Sequence, residues 1–194
     1  MAAEAPGDGA PATKAVTGDG AAFAQLVMPH RAAVFHYARR LTRDDALAED
    51  ILQETLWTAF RQLQGWRGEG SVRGWLLSIA RSRVLMARRR RAGEPATFED
   101  ADTLPELGLA AGWGEPLDPE ALAGRLEAQA MLERALASLG DEDREVIVLR
   151  DLEGLSGEET AQALGLSLPA MKSRLHRARL RLLAAVKRGG RDGR

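Results

Sequence analysis

Apolar residues recur at helical spacing along most of this chain. In "AFAQLVMPHRAAVFHYARRL", Phe23, Leu26 and Val27 share one side, and Val34, Tyr37, Ala38 and Leu41 follow. Pro29 interrupts the run and predicts a kink or break there. "DDALAEDILQETLWTAFRQL" places Leu47, Ile51, Leu52, Leu56, Ala59, Phe60 and Leu63 at steps of about three and four residues. Gly65, Gly68 and Gly70 then mark a loop. Ser71 is placed to cap "SVRGWLLSIARSRVLMARRRR", whose stripe is Val72, Trp75, Leu76, Ile79, Ala80 and Val84. Trp57 and Trp75 lie on these stripes and belong to the core.

Residues 1–20 are rich in Ala, Gly and Pro without periodicity and are expected to be disordered, as is the tail at 189–194. Residues 92–124 hold Pro95, Pro105, Pro116 and Pro119 and have weak periodicity, the marks of a flexible linker. Helices resume from 125 to 188. "LEAQAMLERALASL" is amphipathic and stops at Gly140. Asp141 is a candidate cap for "EDREVIVLRDL", which Gly154 ends. Ser156 and Glu159 form a capping box at the start of "SGEETAQALG", and Gly165 stops that helix. Ser167 can cap a last, long helix. The short helix, the turn at Gly165-Leu166-Ser167 and the basic helix after it match a helix-turn-helix.

Composition agrees with this reading. Hydrophobic residues are 45% of the 194, aromatics 5%, and the usual strand formers are sparse, so the fold class is all-α: two small helical domains, 21–91 and 125–188, joined by a linker. With no cysteine, disulfides and thiolate metal sites are excluded. No stretch approaches the roughly 18 apolar residues of a membrane span, and no signal peptide is visible, so a soluble, cytoplasmic protein is expected.

Charge changes the picture more. The net charge is −1, yet "RSRVLMARRRR" from Arg81 to Arg91 holds six arginines and no acid. Residues 92–120 hold eight acids and no base, and from Ser167 onward there are nine Lys or Arg against one Asp. Such sorting suggests two polyanion-binding places with an acidic segment between them. On the last helix, at about 100° per residue, Leu168, Met171, Leu175, Ala178 and Leu182 cluster inward. Ser173, His176 and Arg177 project opposite, with Lys172, Arg174 and Arg181 on the flanks. That is the layout of a major-groove reader.

"AEDILQET", "GWRGEGSVRGWLLSIARSRVLMARRRR" and "LGDEDREVIVLRDLEGLSGEETAQALGLSLPAMKSRLHRAR" together resemble the extracytoplasmic-function class of bacterial RNA polymerase sigma factors. The resemblance spans 21–91 and 126–188, and both halves match in the right order. It implies a sigma2-like domain that binds core RNA polymerase and the promoter −10 element, and a sigma4-like helix-turn-helix domain for the −35 element. Residues 48–55 are similar to the part that docks on the β′ clamp helices, with Asp50, Gln53 and Glu54 as polar contacts; the β flap is the other implied polymerase contact. The loop 65–71 resembles the one that captures a flipped −10 base, with Trp66 or Arg67 stacking on it and Ser71 nearby. Arg81, Arg83, Arg88 and Arg89 would lie along promoter DNA. For −35 readout the resemblance implies Lys172, Ser173, His176 and Arg177, with Arg174 beside them. Ser82 and Met86 stand where many members have Asn and Asp, which leaves the −10 preference open. An anti-sigma factor is implied as a further partner.

In this reading the acidic linker, with Glu99, Asp100 and Asp102, imitates nucleic acid inside the polymerase, keeps the tether off the DNA, or only solubilises it. No cofactor or metal is expected. Nor is an enzyme: the adjacent carboxylates Asp44-Asp45 and Glu158-Glu159 are explained by helix starts, and no nucleophile–base pair is visible. The alternative is a stand-alone helix-turn-helix regulator that binds DNA as a dimer.

Overall fold

A computed structural model of the chain describes residues 20–66, 68, 70–91, 93 and 119–189, and no strand occurs among them. Arg67, most of the acidic linker with Glu99, Asp100 and Asp102, and nearly all of both expected tails lie outside the described residues.

The first module has four α-helices: α1 (Gly20–Val27), α2 (Arg31–Thr42), α3 (Asp45–Gln62) and α4 (Val72–Arg91). Pro29 does interrupt the first periodic run, as a single 3-10 turn at Met28–His30 between α1 and α2. At the α2–α3 corner Arg43 takes a left-handed φ of 59°, and its N–H closes on the Arg39 carbonyl at 2.7 Å. Asp44 then caps α3, its carboxylate accepting from the Leu47 N–H at 3.0 Å. Ser71 caps α4 as the sequence suggests, its hydroxyl accepting from the Gly74 N–H at 3.0 Å. The expected stripes meet in one core: Val34, Tyr37, Ala38, Ile51, Leu52, Ala59, Val72, Leu76 and Ala80 are all buried. Phe23 closes one end, edge-on to Phe60 at 5.2 Å between centroids.

The second module comprises α5 (Pro119–Ala137), α6 (Asp141–Ile147), α7 (Gly157–Leu164) and α8 (Leu168–Gly189). α5 begins at Pro119, inside the segment expected to be linker. Proline suits the first turn of a helix, where its missing N–H is no loss, so this proline starts a helix rather than breaking one. The cap of α6 also differs from expectation. Gly140 takes the capping position with no side-chain hydrogen bond, and Asp141 is the first helical residue. Its carboxylate instead accepts from Arg144 at 3.0 Å.

Arg144 is buried and satisfies the end of α5: its guanidinium donates to the carbonyls of Leu136 at 2.8 Å, Ala137 at 3.2 Å and Leu139 at 2.6 Å. Helix ends leave such carbonyls without partners, and buried ones must be paired. Arg144→Ala should therefore cost about 2–4 kcal/mol of stability, read by urea denaturation; a loss under ~0.5 kcal/mol would show that water replaces the guanidinium.

α6 continues into one π turn, Val148–Leu152, in which the Glu153 N–H reaches the Val148 carbonyl five residues back at 2.8 Å. Gly154, at φ 71°, ends the segment. The wider turn leaves Glu153 facing the first module at 4% exposure. The two modules pack directly on one another. Tyr37, fully buried in the first, donates its hydroxyl to Glu145 of the second at 2.9 Å. Arg40 bridges to Glu133 at 3.3 Å and to Glu153 at 3.0 Å, and Arg43 donates to the Ala137 carbonyl at 2.7 Å.

Candidate nucleic-acid interface

α7 and α8 form the expected helix-turn-helix, and its local chemistry explains the turn. The Ser156 hydroxyl accepts from the Glu159 N–H at 3.1 Å, and Glu159 Oε2 accepts from the Ser156 N–H at 2.9 Å, a complete capping box. At the other end Gly165 sits at φ 67°, where a Cβ would be strained, and the Leu166 N–H returns to the Ala161 carbonyl at 2.9 Å. Ser167 caps α8 through a long hydrogen bond from the Ala170 N–H, 3.4 Å. Gly157 lets the helices approach: a Cβ there would stand 3.3 Å from the Leu168 side chain.

α8 buries Met171, Leu175 and Ala178, with Leu168 and Leu182 half-buried, as its periodicity requires. Lys172, Ser173, His176 and Arg177 are exposed together on the opposite face. The flanking cations are held instead by the body of the module. Arg174 pairs with Glu142 at 3.2 Å, Arg179 with Asp151 at 2.6 Å, and Arg181 with Asp143.

Of the second group of candidates, Trp66, Ser71 and Arg81 line a cavity of about 810 Å³ between the 65–71 loop, the first half of α4 and α7, whereas Arg83, Arg88 and Arg89 lie outside its lining. Trp66 stacks on Trp75 at 5.1 Å with planes 17° apart, so its ring is partly committed to the core. Trp75, Ser78, Arg81 and Ser82 form the α4 wall, and Glu159, Gln162 and Ala163 the α7 wall. Of the candidate arginines, Arg81 donates to Glu145 at 3.0 Å, Arg83 to the Thr58 hydroxyl at 2.7 Å, and Arg88 to the Leu41 carbonyl at 3.0 Å and Asp141 at 3.2 Å. Arg89 is exposed. Ser71 does more than cap α4: its N–H donates to Glu159 Oε1 at 2.9 Å and its hydroxyl meets the same oxygen.

Glu145, Glu153, Glu159, Arg73 and Tyr37 are the residues that sequence reasoning missed here. The capping box did single out Glu159, but only one of its oxygens serves the cap.

Folding lowers the pKa of the Glu159 carboxyl to about 2, well below its ordinary value near 4.5. Burial pushes it up, but hydrogen bonds from the Ser71 hydroxyl, the Ser156 N–H and the Ser71 N–H outweigh that. A pKa lowered by folding stabilises fully above the unfolded value near 4.5 and loses that contribution as pH falls through about 2. Glu159→Gln, which can still cap, should thus be less stable than the parent near neutral pH and converge with it as pH drops through that window. Denaturant titrations at several pH values read this; a pH-independent gap would mean that the charge itself contributes nothing.

The third group, Asp50, Gln53 and Glu54, is exposed on one face of α3, some 20 residues before α4 in sequence and spaced to lie side by side. Among the described residues, Glu54 has an ionic neighbour, Arg83 at a long 3.9 Å, and Asp50 has none. Among the described residues no helix is long and apolar enough to cross a membrane.

Residues 26–94 match the family model described as Sigma-70 region 2, and residues 129–182 the one described as Sigma-70, region 4. The chain is 39% identical over 171 residues to the ECF RNA polymerase sigma factor SigE of Mycolicibacterium smegmatis, covering 86% of this chain but 63% of that relative's length. It is 34% identical over 177 residues to the RNA polymerase sigma factor CnrH of Cupriavidus metallidurans, covering 90% of this chain and 92% of CnrH. Two solved structures are similar. One is CnrH in complex with the cytosolic domain of CnrY: 28% identity, TM-score 0.65, covering 91% of this chain and 95% of that one. The other is the sigma factor RpoE in complex with the anti-sigma factor NepR from Bartonella quintana: 27% identity, TM-score 0.62, covering 85% and 96%.

Proposed function

We propose a division of labour for a chain that belongs to the extracytoplasmic-function family of RNA polymerase sigma factors: its first module recruits core polymerase and the −10 element, and its second reads the −35 element. The assembly directs promoter-specific transcription initiation. The observation that carries this is the exposed set Lys172, Ser173, His176 and Arg177 on the second helix of a helix-turn-helix, in one chain with the region 2 match.

Each part has a physical role. α8 enters the major groove, where an arginine can hydrogen-bond a guanine edge in bidentate fashion and a lysine holds phosphate. Asp50, Gln53 and Glu54 offer acceptors to a basic partner helix, the β′ clamp helices, and the second module meets the β flap. The cavity floored by Trp66 and Trp75 is an aromatic platform for a base extruded from the −10 strand. Extrusion costs a few kcal/mol, offset by stacking. Arg67, Arg83 and Arg89 supply charge along that strand. The chain supplies recognition and positioning, the polymerase does the chemistry, and the protein works in the cytoplasm. An anti-sigma factor is a fitting partner, since similar sigma factors are solved bound to other chains.

A stand-alone helix-turn-helix regulator is not favoured, because it leaves the region 2 match without a task. Gel-shift titration separates the two. The chain should hold duplex promoter fragments tightly only together with core polymerase. Tight binding as a dimer to duplex alone, with no association with polymerase, would overturn the sigma reading. Within the holoenzyme, Lys172→Ala should weaken binding nearly equally on all sequences and reduce the salt slope by about 1, the mark of one phosphate contact.

A further inference from the structure

A second cavity, of about 320 Å³, lies where the α2–α3 corner, the end of α4 and the start of α6 meet. Arg43, Arg88, Arg91 and Arg144 line it, with Asp141 as the one carboxylate among its described lining residues. Asp141 already serves two of them, Arg88 at 3.2 Å and Arg144 at 3.0 Å. Asp44 pairs with Arg91 at 2.6 Å, and the neighbouring Asp45 is taken by Arg39 at 2.8 Å. Among the described residues no carboxylate pairs with Arg43, whose guanidinium donates to the neutral Ala137 carbonyl at 2.7 Å. Four guanidiniums thus face two carboxylates, Asp141 and Asp44, and two positive charges are left over. The backbone offsets little of this. The ends of α2, α4 and α5 bring about half a negative charge each, and the starts of α3 and α6 about half a positive charge each.

We propose that this corner is a binding site for a compact oxyanion with two adjacent phosphate groups, a diphosphate, held by Arg43, Arg88, Arg91 and Arg144. Three observations support it. First, Arg43 is the only non-glycine with a left-handed φ among the described residues, 59°, at the α2 cap position that glycine fills at least cost. That strain keeps a guanidinium on the cavity where glycine would turn the corner with less. Second, the cations crowd one another. Burial lowers the pKa of Arg144 most, and the charge of Arg43 lowers it further, ahead of the opposing pull of Asp141 and the smaller effect of Arg88. An anion among them relieves that repulsion. Third, the donors and the size fit. A guanidinium offers two parallel N–H donors to two oxygens of one phosphate. At roughly 30 Å³ per water the cavity admits about ten waters, room for a diphosphate and too little for a nucleic-acid duplex. Capping of helix ends explains the placing of Arg88 and Arg144, but it does not require four guanidiniums around one cavity.

Isothermal titration of the whole chain with inorganic pyrophosphate, without divalent cations, tests this. Binding should be saturable and one to one, with a dissociation constant of about 0.1 mM or below, and the melting temperature should rise with pyrophosphate concentration. Sulfate at matched ionic strength should bind roughly tenfold more weakly or worse. Arg43→Gly should weaken pyrophosphate binding by roughly tenfold or more. It should fold at least as well as the parent, because glycine relieves the left-handed strain and the Ala137 carbonyl keeps its hydrogen bond from Arg144 at 3.2 Å. Asp141→Asn, which removes the competing carboxylate, should tighten binding severalfold, a gain that a purely structural set of arginines would not produce. No saturable heat, equal binding of sulfate, or an affinity that either substitution leaves unchanged would overturn the inference. So would a single-stranded oligonucleotide that binds through Arg43 while pyrophosphate does not, which would assign the cluster to nucleic acid. The free chain is titrated without polymerase or promoter, so the outcome is independent of how the chain acts in transcription.

Discussion

Replacing Asp50 and Glu54 with lysine is expected to abolish run-off transcription while leaving the fold intact. Both side chains are exposed and, among the described residues, Asp50 has no ion pair and Glu54 only the long contact to Arg83, so stability should move by less than about 0.5 kcal/mol. The polymerase contact should not survive. Removing one partner of a hydrogen-bonded charge pair at an interface costs about 2–5 kcal/mol, and reversing two charges against a basic partner adds repulsion. Transcript yield should fall at least ~100-fold at sub-saturating protein, with partial recovery at high concentration. The check is run-off yield against sigma concentration, beside a urea melt. Full yield from the double variant would mean that this face of α3 is only solvated surface.

The second large effect falls on α8. Arg177→Ala should lower discrimination between a matched and a mismatched −35 element by about 1–3 kcal/mol, or roughly 5- to 150-fold. Arg177 is exposed and unpaired among the described residues, unlike Arg174, Arg179 and Arg181, which are tied to Glu142, Asp151 and Asp143. Arg174→Ala should accordingly cost less discrimination than Arg177→Ala. Promoter competition with single-position −35 variants measures both. A uniform loss on every template with Arg177→Ala would make it a phosphate contact.

The helices of this protein were legible because each buries one stripe, and a stripe leaves a period in the sequence. Val72, Leu76, Ala80 and Val84 on α4, and Met171, Leu175 and Ala178 on α8, are buried where spacing puts them. Local chemistry was legible too: Ser71, Ser156 and Ser167 cap, and Gly165 turns, because each acts within about four residues of itself. Two local readings were wrong. Asp141 looked like a cap, but Gly140 holds that position and Arg144 draws the carboxylate away. Pro119 falls in the proline-rich stretch that suggests a linker, yet it starts α5, because proline is as much at home in a first helical turn as in a loop.

The face between the modules was not legible at all. Tyr37 meets Glu145 across 108 residues, and Arg40 meets Glu153 across 113. No period encodes such pairs, and the inward aim of Glu153 depends on a π turn that the sequence does not announce. Glu159 shows the limit most plainly. Its capping role was visible three residues away, while its second oxygen serves a serine 88 residues distant. In sequence, the longest stretch of acids without a base is the linker, whose composition fits imitation of nucleic acid, repulsion from DNA or plain solubility alike. Among the described residues, the second-module acids that contact α4 and its cap belong to α6 and α7 and the turn between them, beside Asp44 and Glu54 of the first module.

The most direct measurement is a map of RNA 5′ ends made by core polymerase on a fragment library of the source genome, with and without this protein. With it, a new set of start sites should emerge, each a fixed distance downstream of two short shared sequence elements. Transcription from the same starts in the same proportions, with or without the protein, would contradict the account.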